Sequence, residues 1–215
     1  VVGLVVVTER DRNVLAFIAR WRFVTLEQLF KAGLFSSAYN TCYKRLLALR
    51  RASLIKSGRL SCGRLYYYLT PLGGEEIGLA VPWYARIFRN AGVDTVLKCL
   101  VACDFALAMG IEYLPRREVL SRWMDADYDV LKRCLRSSDL FFEKDGWLHV
   151  LAIDYQYSLK YLAERIKLYS RLPSGIRQQL MINFLVFSES RQKQVMKAAA
   201  DSGVKVKVIK ANWKY

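Results

Sequence analysis

Between Glu27 and Glu75 the chain has no acidic residue, while the same stretch carries eight basic ones: Lys31, Lys44, Arg45, Arg50, Arg51, Lys56, Arg59 and Arg64. The chemistry open to such a set is ion pairing and hydrogen bonding to phosphate oxygens, driven by release of the counterions that phosphates condense. The full chain of 215 residues leans the same way, with 34 Lys+Arg against 19 Asp+Glu, a formal net charge of +15 and a pI near 9.7. Charge of this kind argues for a class of partner and not for a fold. The plainer alternative is a solvated basic surface with no partner. The acid-free run coincides with one structural unit, which favours phosphate.

Other chemistries are poorly supplied. There are five cysteines, Cys42, Cys62, Cys99, Cys103 and Cys134, an odd number with no Cys-x-x-Cys pair, and His149 is the single histidine. Neither a structural zinc site nor a disulfide framework is expected, and a reducing cytoplasm is the expected compartment. The apolar stretch from Val93 to Ile111 is interrupted by Asp94, Lys98 and Asp104, so no membrane span is predicted. Val1 to Val7 is apolar but lacks the basic segment and cleavage site of a signal peptide, and it reads as a strand or a packing arm.

The elements that must position the basic residues can be read from caps and periodicity. Thr8 with Asp11 forms a capping box in which the shorter Asp replaces Glu, opening a helix to about Arg20 with Val14, Leu15, Phe17 and Ile18 on one side. Thr25 with Gln28 opens a short helix to about Ala32, ended by Gly33. Ser36 and Ser37 would cap a third helix, 38–51, with Cys42, Leu46 and Leu49 as its buried stripe. Its other side presents Ser37, Asn40, Thr41, Lys44, Arg45, Ala48 and Arg51. Strands at 54–56 and 64–69 then form a hairpin with a loose loop, in which one or two of Tyr66, Tyr67 and Tyr68 pack. Thr70-Pro71 opens another helix, with Glu75 and Glu76 placed near its positive end.

Three helices, a two-stranded wing and a following helix make a winged helix-turn-helix over residues 1–80. The third helix would enter the major groove of double-stranded DNA. Asn40, Thr41, Lys44 and Arg45 would reach base edges, while Arg59 and Arg64 on the wing would contact phosphate or the minor groove. Ser37, Arg51 and Lys56 complete the expected DNA-binding set. Residues 81–92 read as a linker. The remainder, 93–215, is expected to be an α/β domain, making the whole chain α+β. It has helices at 93–109 and 116–123 and a hairpin of strands at 138–143 and 147–154 around Asp145-Gly146. Helix 159–172 follows, with Leu159, Leu162, Ile166 and Tyr169 buried, then a central apolar strand at 180–187. Helix 190–202 and an edge strand at 204–209 complete it.

The element order of this second segment resembles the PD-(D/E)xK, restriction-endonuclease-like fold. That resemblance implies two carboxylates holding Mg²⁺ and a lysine acting on the attacking water. The matching positions are Asp139 and Asp154, with Gln156 where the lysine belongs, Lys160 as a displaced lysine and Glu112 as an extra acid. Because glutamine carries no charge, the expected domain is catalytically inactive and without a metal, and the alternative is a Mg²⁺-dependent endonuclease using Asp139, Asp154 and Lys160.

The chain as a whole resembles the replication-relaxation family of plasmids, phages and integrated elements. The similarity lies in Thr8-Glu9-Arg10-Asp11 to Leu15, Phe23-Val24-Thr25, Gln28-Leu29, Arg45-Leu46-Leu47, Leu54-Ile55 and Tyr68-Leu69-Thr70 with Gly73. A weaker match covers Asp139 through Tyr169, with Asp154, Lys160, Arg165 and Tyr169. The departures are Gln156 and the absence of the usual Pro before Asp139. The resemblance implies DNA binding in transcription control or in plasmid replication or mobilisation. With Gln156 in the lysine position, the chain is expected to be a sequence-specific DNA-binding protein that is not an enzyme. A homodimer is expected, because paired half-sites need two reading helices. Trp83, Phe88, Leu97, Leu100, Phe105 and Trp123 were the apolar residues expected to hold it together, with Lys205, Lys207, Lys210 and Lys214 extending the contact along flanking DNA.

Overall fold

The computed structural model of the protein describes residues 6–35, 38–123, 128–136, 138–155, 158–200 and 202–212. Helices and strands are mixed, and the chain divides into two compact units between Ala108 and Met109. Among the described residues no helix is long and apolar enough to cross a membrane.

The first unit runs α1 (Glu9–Trp21), α2 (Leu26–Lys31), α3 (Tyr39–Arg51), β1 (Ile55–Arg59), β2 (Leu65–Leu69), α4 (Pro71–Glu76) and α5 (Val93–Met109). Both capping boxes form. Thr8 accepts from the Asp11 amide and Asp11 answers with Oδ2 to the Thr8 amide at 2.8 Å, so the shorter acid does reach. Thr25 and Gln28 exchange the same bonds at the head of α2. Ser36 and Ser37 lie outside the described residues, and the N-cap of α3 is Ala38, with no side-chain cap bond. β1 and β2 pair antiparallel from Ile55↔Leu69 to Arg59↔Leu65, and a bridge between Val24 and Tyr67 adds the α1–α2 connection to the hairpin.

All three tyrosines of β2 are buried, more than the strand alternation suggested. Tyr66 and Tyr68 point to one face, where both meet the edge of Phe23. Gly58 is required opposite Tyr66, because a Cβ there would stand 2.2 Å from the ring. α4 is short, so Glu75 and Glu76 fall in its last turn and not at its positive end; Glu76 instead receives Arg12 of α1 at 3.0 Å.

The expected boundaries differ from the observed division. α5 was assigned to the second domain, yet it packs on the first unit: Val96 and Leu100 join Phe23, Leu60, Tyr66 and Tyr68 in one cluster. Gln28 explains part of this. Its Oε1 is consumed by the capping box, and its Nε2 donates to the Leu100 carbonyl at 2.7 Å and to Asp104 at 3.0 Å. One buried amide thus caps α2 and fastens α5. The segment 81–92 includes a single 3₁₀ turn, Arg86–Phe88, whose Phe88 is buried beside Gly74.

The second unit runs α6 (Arg116–Arg122), α7 (Tyr128–Arg136), β3 (Leu140–Lys144), β4 (Trp147–Ile153), α8 (Leu159–Ser170), α9 (Ser174–Gln178), β5 (Leu180–Val186), α10 (Glu189–Ala199) and β6 (Lys205–Lys210). The sheet order is β3-β4-β5-β6, antiparallel for the first pair and parallel for the other two. Asp145 and Gly146 both take positive φ, as a two-residue hairpin turn with the right twist demands. β5 is buried at every position but Met181, the pattern of a central strand, and β6 is an edge strand that exposes Lys205, Lys207 and Lys210. One face of the sheet, through Phe141, Val150, Ile182 and Phe184, shares a core with Val119 of α6, Leu131 of α7, Ile166 of α8 and Val195 of α10. α7 and α9 were not anticipated. In α8 the buried stripe is Leu162, Arg165, Ile166 and Tyr169, while Leu159 is exposed.

The Asp11 carboxylate should govern the acid stability of the first unit. Burial by itself raises its pKa, but hydrogen bonds from Arg45 and Thr8 outweigh this and bring it down to about 2. The folded value lies below the ~3.9 of an unfolded chain, so the contribution is complete above that value and fades as pH falls from about 4 towards 2. Urea denaturation between pH 6 and pH 2.5 should show roughly 2 kcal/mol less loss in Asp11→Asn than in the parent, which starts from higher stability.

Candidate nucleic-acid interface

On α3 the residues Asn40, Lys44, Ala48 and Arg51 recur at four, four and three positions. That spacing carries them three turns along one line opposite the buried stripe of Cys42, Leu46 and Leu49. Asn40, Thr41, Lys44 and Arg51 are exposed, and their side chains have no hydrogen-bond or ion-pair partner among the described residues. Lys56 and Arg59 on β1 are likewise exposed and without a side-chain partner. Arg64, exposed just before β2, stands 3.8 Å from Glu27. Ser37 lies outside the described residues.

Arg45 is the exception in the expected base-reading set. Its Nε donates to Asp11 Oδ1 at 2.8 Å, its Nη2 forms an ion pair with Asp11 Oδ2, and the same Nη2 donates to the Val6 carbonyl at 2.8 Å. Helix phase explains the change. Arg45 is one residue past Lys44, a turn of about 100° that carries it off the exposed stripe towards α1. Asp11 was recognised as a cap, but a carboxylate buried to 0% exposure also needs a counter-cation, and Arg45 supplies it. Arg50 is also engaged, donating to Ser57 at 3.1 Å across the start of the hairpin.

α3 also carries an aromatic flank that its charge pattern does not announce. Tyr39 and Tyr43, 52% and 43% exposed, stand one turn apart on α3, and Phe30 of α2 packs edge-on against Tyr39. With Tyr67, Thr25, Glu27 and Arg64 the two tyrosines line an open groove of about 470 Å³ between α3 and the hairpin. Tyr43 lies off the Cys42–Leu46–Leu49 stripe, so its exposure was legible from phase, whereas Tyr39, three residues before Cys42, is in phase with the stripe and is exposed because it sits in the first turn of α3.

In the second unit the two aspartates expected at a metal site, Asp139 and Asp154, are each directed at an arginine. Asp154, 2% exposed at the end of β4, takes Arg191 of α10 in a two-pronged pair, Nε to Oδ2 at 2.5 Å and Nη2 to Oδ1 at 3.2 Å. Asp139 uses Oδ2 to accept from the Ile153 amide at 2.7 Å, and Arg165 Nη2 lies 3.5 Å from that same oxygen. Lys160 is exposed in the first turn of α8, and Gln156 lies outside the described residues. Among the described residues no group of three or more His, Cys, Asp and Glu side chains is placed to hold a metal ion. Glu112, the extra acid, is exposed.

The apolar residues expected at a dimer contact are mostly core. Phe88, Leu100, Phe105 and Trp123 are buried, Leu97 is partly buried against the cluster around Phe23, and Trp83 alone of the set is largely exposed. Of the lysines expected along flanking DNA, Lys205 and Lys207 are exposed on β6, and Lys205 Nζ lies 3.8 Å over the Trp147 ring. Lys210 bonds Glu189, and Lys214 lies outside the described residues.

No family model matches the chain, and no curated protein and no solved structure matches it.

Two neighbours on α3 should therefore differ sharply in thermal and urea denaturation. Lys44→Ala should change stability by less than about 0.5 kcal/mol, as an exposed side chain with no partner. Arg45→Ala leaves Asp11 buried without its cation and should cost about 3 kcal/mol. Equal stability of the two variants would remove the structural role of Arg45.

Proposed function

We propose that the chain is a non-enzymatic, sequence-specific double-stranded DNA-binding protein whose first unit acts as a winged helix-turn-helix, with α3 in the major groove and the β1–β2 hairpin as the wing. The observation that carries this is the exposed stripe of α3. Asn40, Thr41, Lys44 and Arg51 have no side-chain partner among the described residues, have no carboxylate in their sequence neighbourhood, and stand beside a hairpin that exposes Lys56, Arg59 and Arg64. Asparagine and lysine or arginine are the side chains that pair with adenine and guanine edges in the major groove. The resemblance to the replication-relaxation family gives the setting: transcription control, or replication or mobilisation of a mobile element. Four reading residues are few for a specific site, and a homodimer on two half-sites is part of the proposal, with two copies bound per palindrome.

A Mg²⁺-dependent endonuclease is the second reading, and one feature favours it. Asp139 bonds the amide of Ile153, so two carboxyl groups converge on the end of β4. Against it stand the two arginines. A guanidinium bound to both oxygens of Asp154 occupies the lone pairs a Mg²⁺ would need, and Arg165 approaches Asp139. The second unit is therefore read as a nuclease-like scaffold with its acids neutralised from within.

Duplexes selected from a random library and followed by fluorescence anisotropy test the first reading. Lys44→Ala or Arg51→Ala should cost roughly 1–3 kcal/mol on the selected site if the residue contacts a base, and Arg59→Ala should weaken all duplexes and flatten the salt slope by about one unit. Binding with no salt dependence would sink the proposal. For the second reading, supercoiled plasmid incubated with Mg²⁺ or Mn²⁺ should stay uncut. Nicking that vanishes in Asp154→Ala would overturn the non-enzymatic assignment.

A further inference from the structure

Arg165 is an arginine in a place that α-helical periodicity reserves for an apolar side chain. It shares the buried stripe of α8 with Leu162, Ile166 and Tyr169, and its side chain is 3% exposed. A guanidinium removed from water needs most of its five N–H donors met, or it carries a large desolvation cost. Here the supply is short. The Asp139 contact is long at 3.5 Å, the Phe184 ring lies 5.9 Å from its central carbon, and Nε is buried with no hydrogen-bond partner.

The surroundings of Arg165 are not apolar. It lines an open groove of about 490 Å³ between α7 and α8 together with Arg133, Tyr161, Glu164, Lys167 and Arg171. Arg133, Lys167 and Arg171 are exposed and make no ion pair among the described residues. On α8, Tyr161, Glu164, Leu168 and Arg171 lie three, four and three positions apart, one stripe along the helix, and Arg133 faces them from α7. Four cations meet one carboxylate in the lining. Even with Asp139 added the local balance stays positive. Like charges gathered around an underpaired buried guanidinium are unfavourable by themselves, and an anion in the groove relieves both terms.

We propose that this groove of the second unit is a phosphate-binding site, with Arg165 as its buried floor and Arg133, Lys167 and Arg171 as its rim. The planar guanidinium groups suit the tetrahedral oxygens of phosphate, and Lys167 adds a point charge. The ligand chemistry is a phosphate group, either free or on a nucleic-acid strand. The site does not depend on α3, so it stands or falls apart from the reading of the first unit.

Isothermal titration of the full chain with pyrophosphate, and separately with a 12-nucleotide single strand, distinguishes the two sources. Arg133 and Arg171 are exposed, so the double variant Arg133→Ala/Arg171→Ala should fold as the parent does. It should bind the ligand that uses the groove about tenfold more weakly, or worse, since two charge-assisted contacts are lost. Lys160→Ala, on the same helix but outside the groove, should bind unchanged. Lys44→Ala/Arg51→Ala should leave pyrophosphate binding unchanged whatever it does to duplex binding. Loss confined to the pyrophosphate arm assigns a free phosphate compound; loss in the strand arm assigns a nucleic-acid backbone. Binding of both probes within twofold of the parent in the Arg133/Arg171 variant, or no measurable binding of either probe to the parent, overturns the proposal.

Discussion

A carboxylate shut away from water must meet a cation, and this requirement organises both units of the chain. Asp11 and Asp154 are the fully buried carboxylates among the described residues, and each ends on an arginine, Arg45 and Arg191. The pairs join elements far apart in sequence: α1 to α3 in the first unit, and the end of β4 to α10 in the second. Such pairs add little net stability over well-packed apolar side chains, but losing one partner is costly, so they fix which helix lies where. They also decide which charges are left over. An arginine bound to both oxygens of an acid is not available to a phosphate or a base.

What remains after this internal pairing is the charge left available at the surface. The +15 net charge is not spread evenly in its availability. In the first unit Lys44, Arg51, Lys56 and Arg59 have no ion-pair partner among the described residues, while Arg45, Arg12 and Lys31 are held by Asp11, Glu76 and Glu27. In the second unit Arg191 is held, and Arg133, Lys167 and Arg171 make no ion pair among the described residues. Other cations with no ion-pair partner among the described residues, such as Arg20, Lys193 and Lys207, are scattered over the surface. The clustered ones fall on one helix stripe with its neighbouring hairpin and in one groove, and clustering of like charge is what phosphate recognition requires.

The hairpin of the first unit shows how packing sharpens a weak local pattern. Three consecutive tyrosines cannot all face inward on an ordinary two-sided strand. They do so here because α5 closes on Tyr66 and Tyr68 from one side, while Tyr67 lies against the groove beside α3 on the other. Gln28 makes that closure specific, since its amide oxygen is already used by the cap and its nitrogen must find acceptors on α5. The same residue that completes the cap of α2 thereby ties α5 into the first unit.

The sequence by itself determined what depends on near neighbours. The capping boxes at Thr8 and Thr25, the Pro71 start of α4, the Asp145-Gly146 turn, the central character of β5 and the lysine-edged β6 all follow from residues within a few positions of one another, where sterics and hydrogen-bond reach leave little choice. The exposed α3 stripe was legible for the same reason, apart from Arg45. Only the tertiary structure decided the assignments that depend on distant partners. Arg45 turned away from the exposed α3 stripe to Asp11, 34 residues away in sequence, and α5 joined the first unit through Gln28, 72 residues before Leu100. Asp154 met Arg191 across 37 residues, and Arg165 turned inward where Leu159 had been expected. Periodicity ranks side chains by hydrophobicity along one helix, but a charged residue is buried or exposed according to whether the rest of the fold brings it a partner.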